Sequence, residues 1–399
     1  MVEQAYYFNP WDPEFRANPY PHYPALLAGP PRVTILPGAP FALVARYRDA
    51  ITVLRDHANF SSVGPPPPPD QYQGPFAGSK NVLNSDPPDH TRLRRLVSRD
   101  FTPRRIRELE PRIREIARTL VDKAAMRGEF DVMADLANIL PVMVIAEMLG
   151  VPADKSAMFK DWSDRIIAAG NTIPGAPPPA EAVQALEALA EYFGGEIERR
   201  RRHPGADLVS ALVAAHDDSD ALSAGELLSF VSLLLIAGNE TTTNLIGNGA
   251  LALMHNPAQL EMLRREPAML PRAIEEMLRY DGPVQSTARF PKSAVKLVDA
   301  EIPAGSIVVV VIAAANRDPA QFPDPERFDI TRDPNDHLAF GEGIHFCIGA
   351  PLARMEANIA FSAMFERFAR LRLRDPDAKL NYKGSYFLRG LDSLKAALD

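Results

Sequence analysis

The only cysteine of the chain, Cys347, lies in a glycine-rich segment just before a predicted helix. The segment reads Phe-Gly-Glu-Gly-Ile-His-Phe-Cys-Ile-Gly from Phe340 to Gly349, and Pro351 occupies the position of a first-turn proline. Unpaired backbone N–H groups at a helix N-terminus favour a thiolate. A lone cysteine is usually an inert packing residue, but these surroundings indicate a metal ligand. A structural zinc site is disfavoured, because it needs four ligands and no second cysteine exists.

A second group of reactive side chains lies inside the longest predicted helix, 223–254. An apolar run ends at Gly238 and is followed by Asn239, Glu240 and Thr241. A glycine inside a helix costs up to about 1 kcal/mol relative to alanine, and a buried glutamate costs more unless it is hydrated or paired. Because both unfavourable residues lie in one helical turn, we expect them to serve a function. Glu240 and Thr241 would supply an acid and a hydroxyl for proton delivery. For this segment alone, a kinked core helix whose threonines bond back to carbonyl groups is the favoured alternative.

Helical periodicity dominates the elements that must position these residues, whereas the predicted strands are short. We expect a mainly α fold with small β-sheets, formed by a single domain over residues 1–399. Two loops rich in proline and glycine, 61–80 and 168–179, have the composition of mobile covers. The predicted helices are 103–125, 138–149, 180–202, 223–254 and 270–280, and the predicted strands are 32–36, 41–44, 295–297 and 306–312.

The bulk composition excludes several classes of protein. The 44 basic and 51 acidic residues give a net charge of −7, which argues against a nucleic-acid-binding protein. The most apolar run, 227–238, is far shorter than the roughly 20 residues that cross a membrane, so we expect no membrane anchor. A single cysteine permits no intrachain disulfide, which fits a reducing cytoplasm.

The cysteine segment resembles the haem-binding loop of the cytochromes P450, Phe-Gly-x-Gly-x-His-x-Cys-x-Gly, and the resemblance covers essentially the whole chain. It implies the triangular-prism fold of that family and haem b, iron protoporphyrin IX, as the cofactor. A thiolate ligand gives electron density to haem iron and favours O–O cleavage. The resemblance assigns this ligand to Cys347.

The same resemblance implies which residues contact the haem. Phe340 would pack on the thiolate side, and His345 would reach a propionate. A His-x-x-x-Arg pair, here His90 and Arg94 on one helix face, would bind one propionate, and Arg289 would bind the other. The alternative for each of these basic residues is an ordinary side chain on the protein surface, exposed to solvent. Gly349 and Ala237 complete the predicted cofactor contacts.

Two further motifs of the family occur in the expected order. Glu276 and Arg279 are three residues apart on a predicted helix, and the resemblance implies that Arg327 completes their ion pair. The segment around Gly238 is similar to the oxygen-activation groove of the family. It implies room for dioxygen at Gly238, with Glu240 and Thr241 as the acid–alcohol pair.

The implied function is that of a bacterial-type monooxygenase, which uses O2 and two electrons to oxidise a hydrophobic small molecule. A fatty acid, terpenoid or steroid-like substrate is suggested only because the segment around Gly238 looks like that of bacterial family members that hydroxylate such compounds. The predicted wall of the site is apolar and comprises both covers and residues 233–237, 284–287 and 387–388.

The electrons must come from another protein, since one cysteine cannot hold an iron–sulfur cluster and no Gly-x-Gly-x-x-Gly motif opens a strand–helix unit. We expect a ferredoxin or flavodoxin with its NAD(P)H reductase as the donor to a monomeric enzyme. A basic patch would steer the acidic donor to the cysteine side. The patch comprises Arg92, Arg95, Arg99, Arg104, Arg105 and Arg354.

Two other classes of function remain open from the sequence. A peroxide-driven or nitric-oxide-reducing haem-thiolate enzyme is the first, and the Glu240–Thr241 pair argues against dependence on peroxide. A haem-based sensor or ligand carrier is the second, and it would not require that pair.

Overall fold

The computed structural model describes residues 12–29, 31–36, 39–65, 74–76, 78–99, 101–169, 177–205, 207–214, 222–298, 300–383 and 387–398. Helices dominate these ranges, as predicted. Parts of both predicted covers, 66–73, 77 and 170–176, lie outside the described residues. The helices are α1 (Pro13–Ala17), α2 (Tyr23–Leu27), α3 (Tyr47–Arg55), α4 (Asp89–Ser98), α5 (Pro103–Arg127), α6 (Leu140–Met148), α7 (Ser156–Ala168), α8 (Ala180–Arg202), α9 (Leu208–Ala214), α10 (Ala224–His255), α11 (Pro257–Arg265), α12 (Leu270–Asp281), α13 (Ile312–Ala315) and α14 (Ala350–Arg367).

Short strands form small sheets at the edge of this helical assembly. The largest is five-stranded, with the order β1-β2-β8-β5-β3. Predicted strand 306–312 ends early, at Val310, because the chain turns into α13 at Ile312. The strands are β1 (Arg32–Leu36), β2 (Ala39–Val44), β3 (Phe60–Ser61), β4 (Phe130–Asp131), β5 (Thr287–Pro291), β6 (Val295–Leu297), β7 (Ala300–Ile302), β8 (Ile307–Val310), β9 (Arg372–Leu373), β10 (Tyr382–Lys383), β11 (Gly390–Leu391) and β12 (Lys395–Ala397).

Helix α10 is the central element, and it packs against α6, α7, α8, α12 and α14. It begins at a capping box in which Glu226 N donates to Ser223 Oγ at 3.1 Å and Ser223 N donates to Glu226 Oε2 at 2.8 Å. The helix continues through Gly238 to His255 without a break. None of the described helices is both long enough and apolar enough to cross a membrane.

The main hydrophobic core holds α14, the helix that follows the cysteine segment. Ile113 and Ile116 of α5 are almost fully buried in one cluster with Phe361 and Met364 of α14. Complete burial of such side chains contributes about 1.5–3 kcal/mol each. The cysteine segment is therefore attached to one of the most firmly packed helices of the molecule.

The predicted Glu276–Arg279 ion pair is present on α12, and both side chains are fully buried. Arg279 Nε lies 2.7 Å from Glu276 Oε2 and Nη2 lies 2.8 Å from Oε1, which is a bidentate arrangement. The assignment of Arg327 as the third member is wrong, because its exposed guanidinium faces Asp329 at 3.6 Å. Arg332 takes that position, with its Nε 3.3 Å from Glu276 Oε2.

The replacement of Arg332 by methionine should lower the free energy of unfolding by about 1–3 kcal/mol, since a hydrogen bond to a buried carboxylate is lost. Chemical denaturation of the variant measures this loss. The matched variant Arg327→Met should remain within about 0.5 kcal/mol of the wild type. Equal losses in the two variants would contradict this reassignment.

Candidate active site

A cavity of about 310 Å³ lies between α10 and the segment that carries Cys347. Its wall is mostly apolar, which is typical of sites for small molecules. Most of the predicted site residues face it, whereas His90 and Glu240 do not line it. The predicted site residues in the wall are Arg94, Ala237, Gly238, Thr241, Arg289, Phe340, His345, Cys347 and Gly349.

Backbone geometry closes the cysteine segment into a tight loop. Cys347 N donates to Phe340 O at 2.9 Å, and Gly341 and Gly343 have φ angles of 72° and 71°. A Cβ atom at Gly343 would lie 2.9 Å from Leu54 O, so the glycine is also needed for close approach to α3. The loop thus places the sulfur directly before the N-terminus of α14.

The sulfur of Cys347 lies in an environment of opposing electrostatic effects. Burial raises the pKa of the Cys347 thiol, whereas backbone N–H groups of Gly349 and Ala350 and the guanidinium of Arg94 act to lower it. The described residues contain no cluster of three or more His, Cys, Asp or Glu side chains that could hold a metal ion. The arrangement suits a metal that brings its other ligands with it.

Two arginines face the cavity, and among the described residues neither forms an ion pair with a carboxylate. Arg94 Nη2 donates to Phe346 O at 2.7 Å, and Arg289 Nη1 donates to Ala288 O at 2.8 Å. Burial lowers the pKa of both guanidinium groups. In the described part of the chain neither forms an ion pair, and a buried unpaired charge is costly. An anionic ligand with two separate negative charges would offset this cost, and the two propionates expected of haem would meet this requirement.

His345 lines the cavity and contacts the protein through both ring nitrogens. Its Nδ1 lies 3.2 Å from Val82 O, so Nδ1–H donates there and Nε2 accepts from the Ser62 hydroxyl at 2.9 Å. Burial lowers the pKa of His345 to about 4, which keeps the ring neutral. The ring of His90 contacts it in a tilted arrangement with centroids 4.3 Å apart, and among the described residues the buried His90 Nε2 has no hydrogen-bond partner. His90 Nε2 is therefore available to an added acceptor, whereas both nitrogens of His345 already have protein partners.

On α10, Ala237, Gly238 and Thr241 face the cavity. A Cβ atom at Gly238 would lie 3.5 Å from Ile145, an ordinary contact, so protein packing does not require this glycine. Thr241 Oγ1 donates to Ala237 O at 2.7 Å, which is the back-bonding expected of a helical threonine. The hydroxyl oxygen still has acceptor capacity toward the cavity.

Glu240 points away from the cavity and is only 2% exposed. Lys160 of α7 has its Nζ 3.5 Å from Glu240 Oε2, and Lys383 of β10 has its Nζ 3.9 Å from Oε1. A buried carboxylate needs such partners. Neither lysine was identified from the sequence, since both come from distant segments with no motif of their own.

The substrate side of the wall agrees in part with the prediction. Leu233, Leu234, Val284 and Thr287 line the cavity as expected. Near the first predicted cover, the described lining residues are Val82 and Leu83, which lie just beyond 61–80. Phe387 and Leu388 are not among the lining residues, and Leu388 instead forms an isolated β-bridge with Val284.

An apolar cavity lined by a cysteine and two arginines, in a mostly helical chain, is an arrangement compatible with one large class of oxygenases. The sequence matches the family model for cytochrome P450 over residues 33–392, so the chain belongs to the cytochrome P450 family. It is a P450 monooxygenase, and its cofactor is haem b.

Similar proteins span almost the full length of the chain. The cytochrome P450 monooxygenase PikC of Streptomyces venezuelae is 46% identical over 387 residues, which cover 96% of this chain and 91% of that protein. The vitamin D(3) 25-hydroxylase of Pseudonocardia autotrophica is 41% identical over 388 residues, with 96% and 94% covered. The crystal structure of the myxobacterial cytochrome P450 CYP267B1 in complex with myristic acid is 37% identical, with a TM-score of 0.89 and 98% of both chains covered.

Proposed function

We propose that this monooxygenase oxidises a large hydrophobic small molecule of the fatty-acid, terpenoid or steroid type, with Cys347 as the ligand of its haem iron. The observation that carries the proposal is one mostly apolar cavity lined by the half-buried Cys347 and by two arginines that form no ion pair with a carboxylate in the described part of the chain. A relative named for hydroxylating vitamin D(3) and a structural neighbour that holds myristic acid support a substrate of this class.

Four residues would hold the cofactor. Cys347 would bind the iron, and Arg94, Arg289 and His90 would bind the propionates through their free N–H groups. His345 would orient His90 by ring contact, with its own nitrogens fixed by the protein. Thiolate-bound haem iron, when present, activates O2 for insertion of one oxygen atom into a substrate bond.

Proton delivery would start at Glu240 and end at Thr241. Lys160 would connect the carboxylate of Glu240 to solvent, since its Nζ lies 3.5 Å from Glu240 Oε2 and also contacts the half-exposed Asp164. The Thr241 hydroxyl is the group of the pair that faces the cavity, so it holds the water that receives the proton. The mostly apolar wall excludes other water from the reacting bond.

Electron supply would come from a small acidic ferredoxin or flavodoxin, which docks on the cysteine side. Arg92, Arg104 and Arg354 of the predicted patch instead have carboxylate partners within the chain, namely Glu226, Glu108 and Glu275. Arg95, Arg99 and Arg105 of the predicted patch are exposed and would contribute positive charge to the docking surface. Phe346, which is 40% exposed and precedes Cys347, would supply an apolar contact beside it.

A Cys347→Ser variant should lose the strongly red-shifted Soret band of the ferrous–CO complex, because serine supplies no thiolate. The absorption spectrum of the reduced, CO-treated protein measures this change. Retention of the band would exclude Cys347 as the ligand. A substrate library screened on the wild type for spin-state shifts in the same spectrum tests the proposed substrate class.

Replacement of Thr241 by alanine should leave haem binding intact and lower the product formed per NAD(P)H consumed by about tenfold or more, since the cavity loses its hydroxyl. Reduced oxygen should appear as peroxide or water instead. Thr241→Ser, which keeps the hydroxyl, is the matched control. If the alanine variant forms as much product per NAD(P)H as the wild type, Thr241 has only a structural role.

Charge reversal at Arg95 or Arg99 should slow haem reduction by an acidic ferredoxin without a change in substrate affinity. Stopped-flow reduction should also slow steeply as ionic strength rises from about 0.01 to about 0.5 M. Arg370→Glu is the control, because this exposed residue follows the far end of α14, roughly 25 Å from the cysteine end. A salt-independent rate, or equal effects of all reversals, would reject this docking face.

A further inference from the structure

One carboxylate holds two side chains against the aromatic residue that closes the cysteine loop. Arg354 Nε lies 2.7 Å from Glu275 Oε1, and Arg354 Nη2 lies 2.7 Å from Glu275 Oε2. His337 Nε2 lies 3.1 Å from the same Oε2. Because Ala339 N donates to His337 Nδ1 at 3.2 Å, the proton of this ring lies on Nε2, which donates to Glu275.

Both partners of Glu275 face the ring of Phe340. The guanidinium carbon of Arg354 lies 4.5 Å from the ring centroid, and the His337 ring lies 6.2 Å from it. A guanidinium over an aromatic face is attracted by the ring quadrupole. The backbone of Phe340 accepts the hydrogen bond from Cys347 N, so this residue is linked to the cysteine as well.

The ion pair remains charged in the folded protein. Although burial opposes ionisation, hydrogen bonds from Arg354 and His337 lower the pKa of Glu275 to about 2. Arg354 carries its positive charge beside the cysteine loop, since its guanidinium carbon lies 4.5 Å from the ring centroid of Phe340. Glu275 compensates that charge from the side of α12, so the pair as a whole is neutral.

We propose that the Glu275–Arg354 pair, with His337, positions Phe340 and sets the reduction potential of the iron that Cys347 binds. This inference rests on the assignment of Cys347 as the ligand. The sequence motifs do not include Glu275 or His337, and a purely structural ion pair already exists in the adjacent residues Glu276 and Arg279. The Glu275–Arg354 pair is half-buried and lies against the cysteine loop. Its charges would therefore change the free energy of adding an electron to the iron.

Two single variants of the haem-loaded protein should shift the midpoint potential in opposite directions. Arg354→Gln leaves the negative charge of Glu275 uncompensated, which disfavours uptake of an electron and lowers the potential. Glu275→Gln leaves the positive charge of Arg354 uncompensated and raises it. We expect about a threefold to tenfold change in the equilibrium constant for reduction in each variant, where tenfold corresponds to about 59 mV.

Spectroelectrochemical titration measures both shifts. The double variant Glu275→Gln/Arg354→Gln should return toward the wild-type potential, because the site is again neutral. Arg112→Gln is the control, since Arg112 forms a comparable pair with Glu147 at 2.9 Å on the surface of α5 and α6. Its potential should equal that of the wild type.

A loss of packing would move both single variants in the same direction, so shifts of one sign, or no shift in either, overturn the inference. The ferrous–CO spectrum separates this outcome from failure of the proposed function. If the wild type shows the thiolate band but the potentials do not diverge, only the part assigned to Glu275 and Arg354 is lost. If the band is absent from the wild type, the ligand assignment itself fails.

Discussion

The site depends on a fully buried ion pair in α12. Arg279 binds Glu276 and donates to the carbonyl oxygens of Asn316, Pro325 and Arg327. The side chain of Asn316 in turn accepts from Leu338 N at 2.7 Å, immediately before the cysteine loop. A buried pair is stable only when such additional hydrogen bonds offset its desolvation. The irregular segment from 316 to 338 is therefore held in one conformation, and the position of Cys347 follows from it.

Much of the fold and the core of the site could be predicted from local patterns. Some features depend only on residues that are close in the sequence, so they can be predicted from it. Examples are the capping box at Ser223, the apolar periodicity of α8 and the loop glycines. The third member of the α12 network was misassigned, because Arg327 and Arg332 are both compatible with the motif and only the tertiary path of the chain decides between them. Motif order identifies a segment, whereas the side chain that reaches the partner depends on the backbone between them.

The other contacts that the sequence did not predict are made by residues far apart in the chain. Ser62 and Val82 engage the nitrogens of His345 from segments more than two hundred residues away. Lys160 and Lys383 approach Glu240 from α7 and β10. Gly390 permits the second approach, because a Cβ atom there would lie 1.8 Å from Asn244 Oδ1 on α10, and Gly390 pairs with Lys383 in the ladder. Such partnerships arise from topology, and they leave no periodic signal in the sequence.

Cys347 is the sole thiol of the chain, and its sulfur faces the cavity instead of the outer surface. Alkylating reagents therefore have one target per molecule, and a bound haem would occupy the cavity that this target lines. Stoichiometric labelling of a purified sample would count the molecules that lack haem, without interference from any other cysteine. A conjugated fluorophore or spin label would likewise report from this cavity alone.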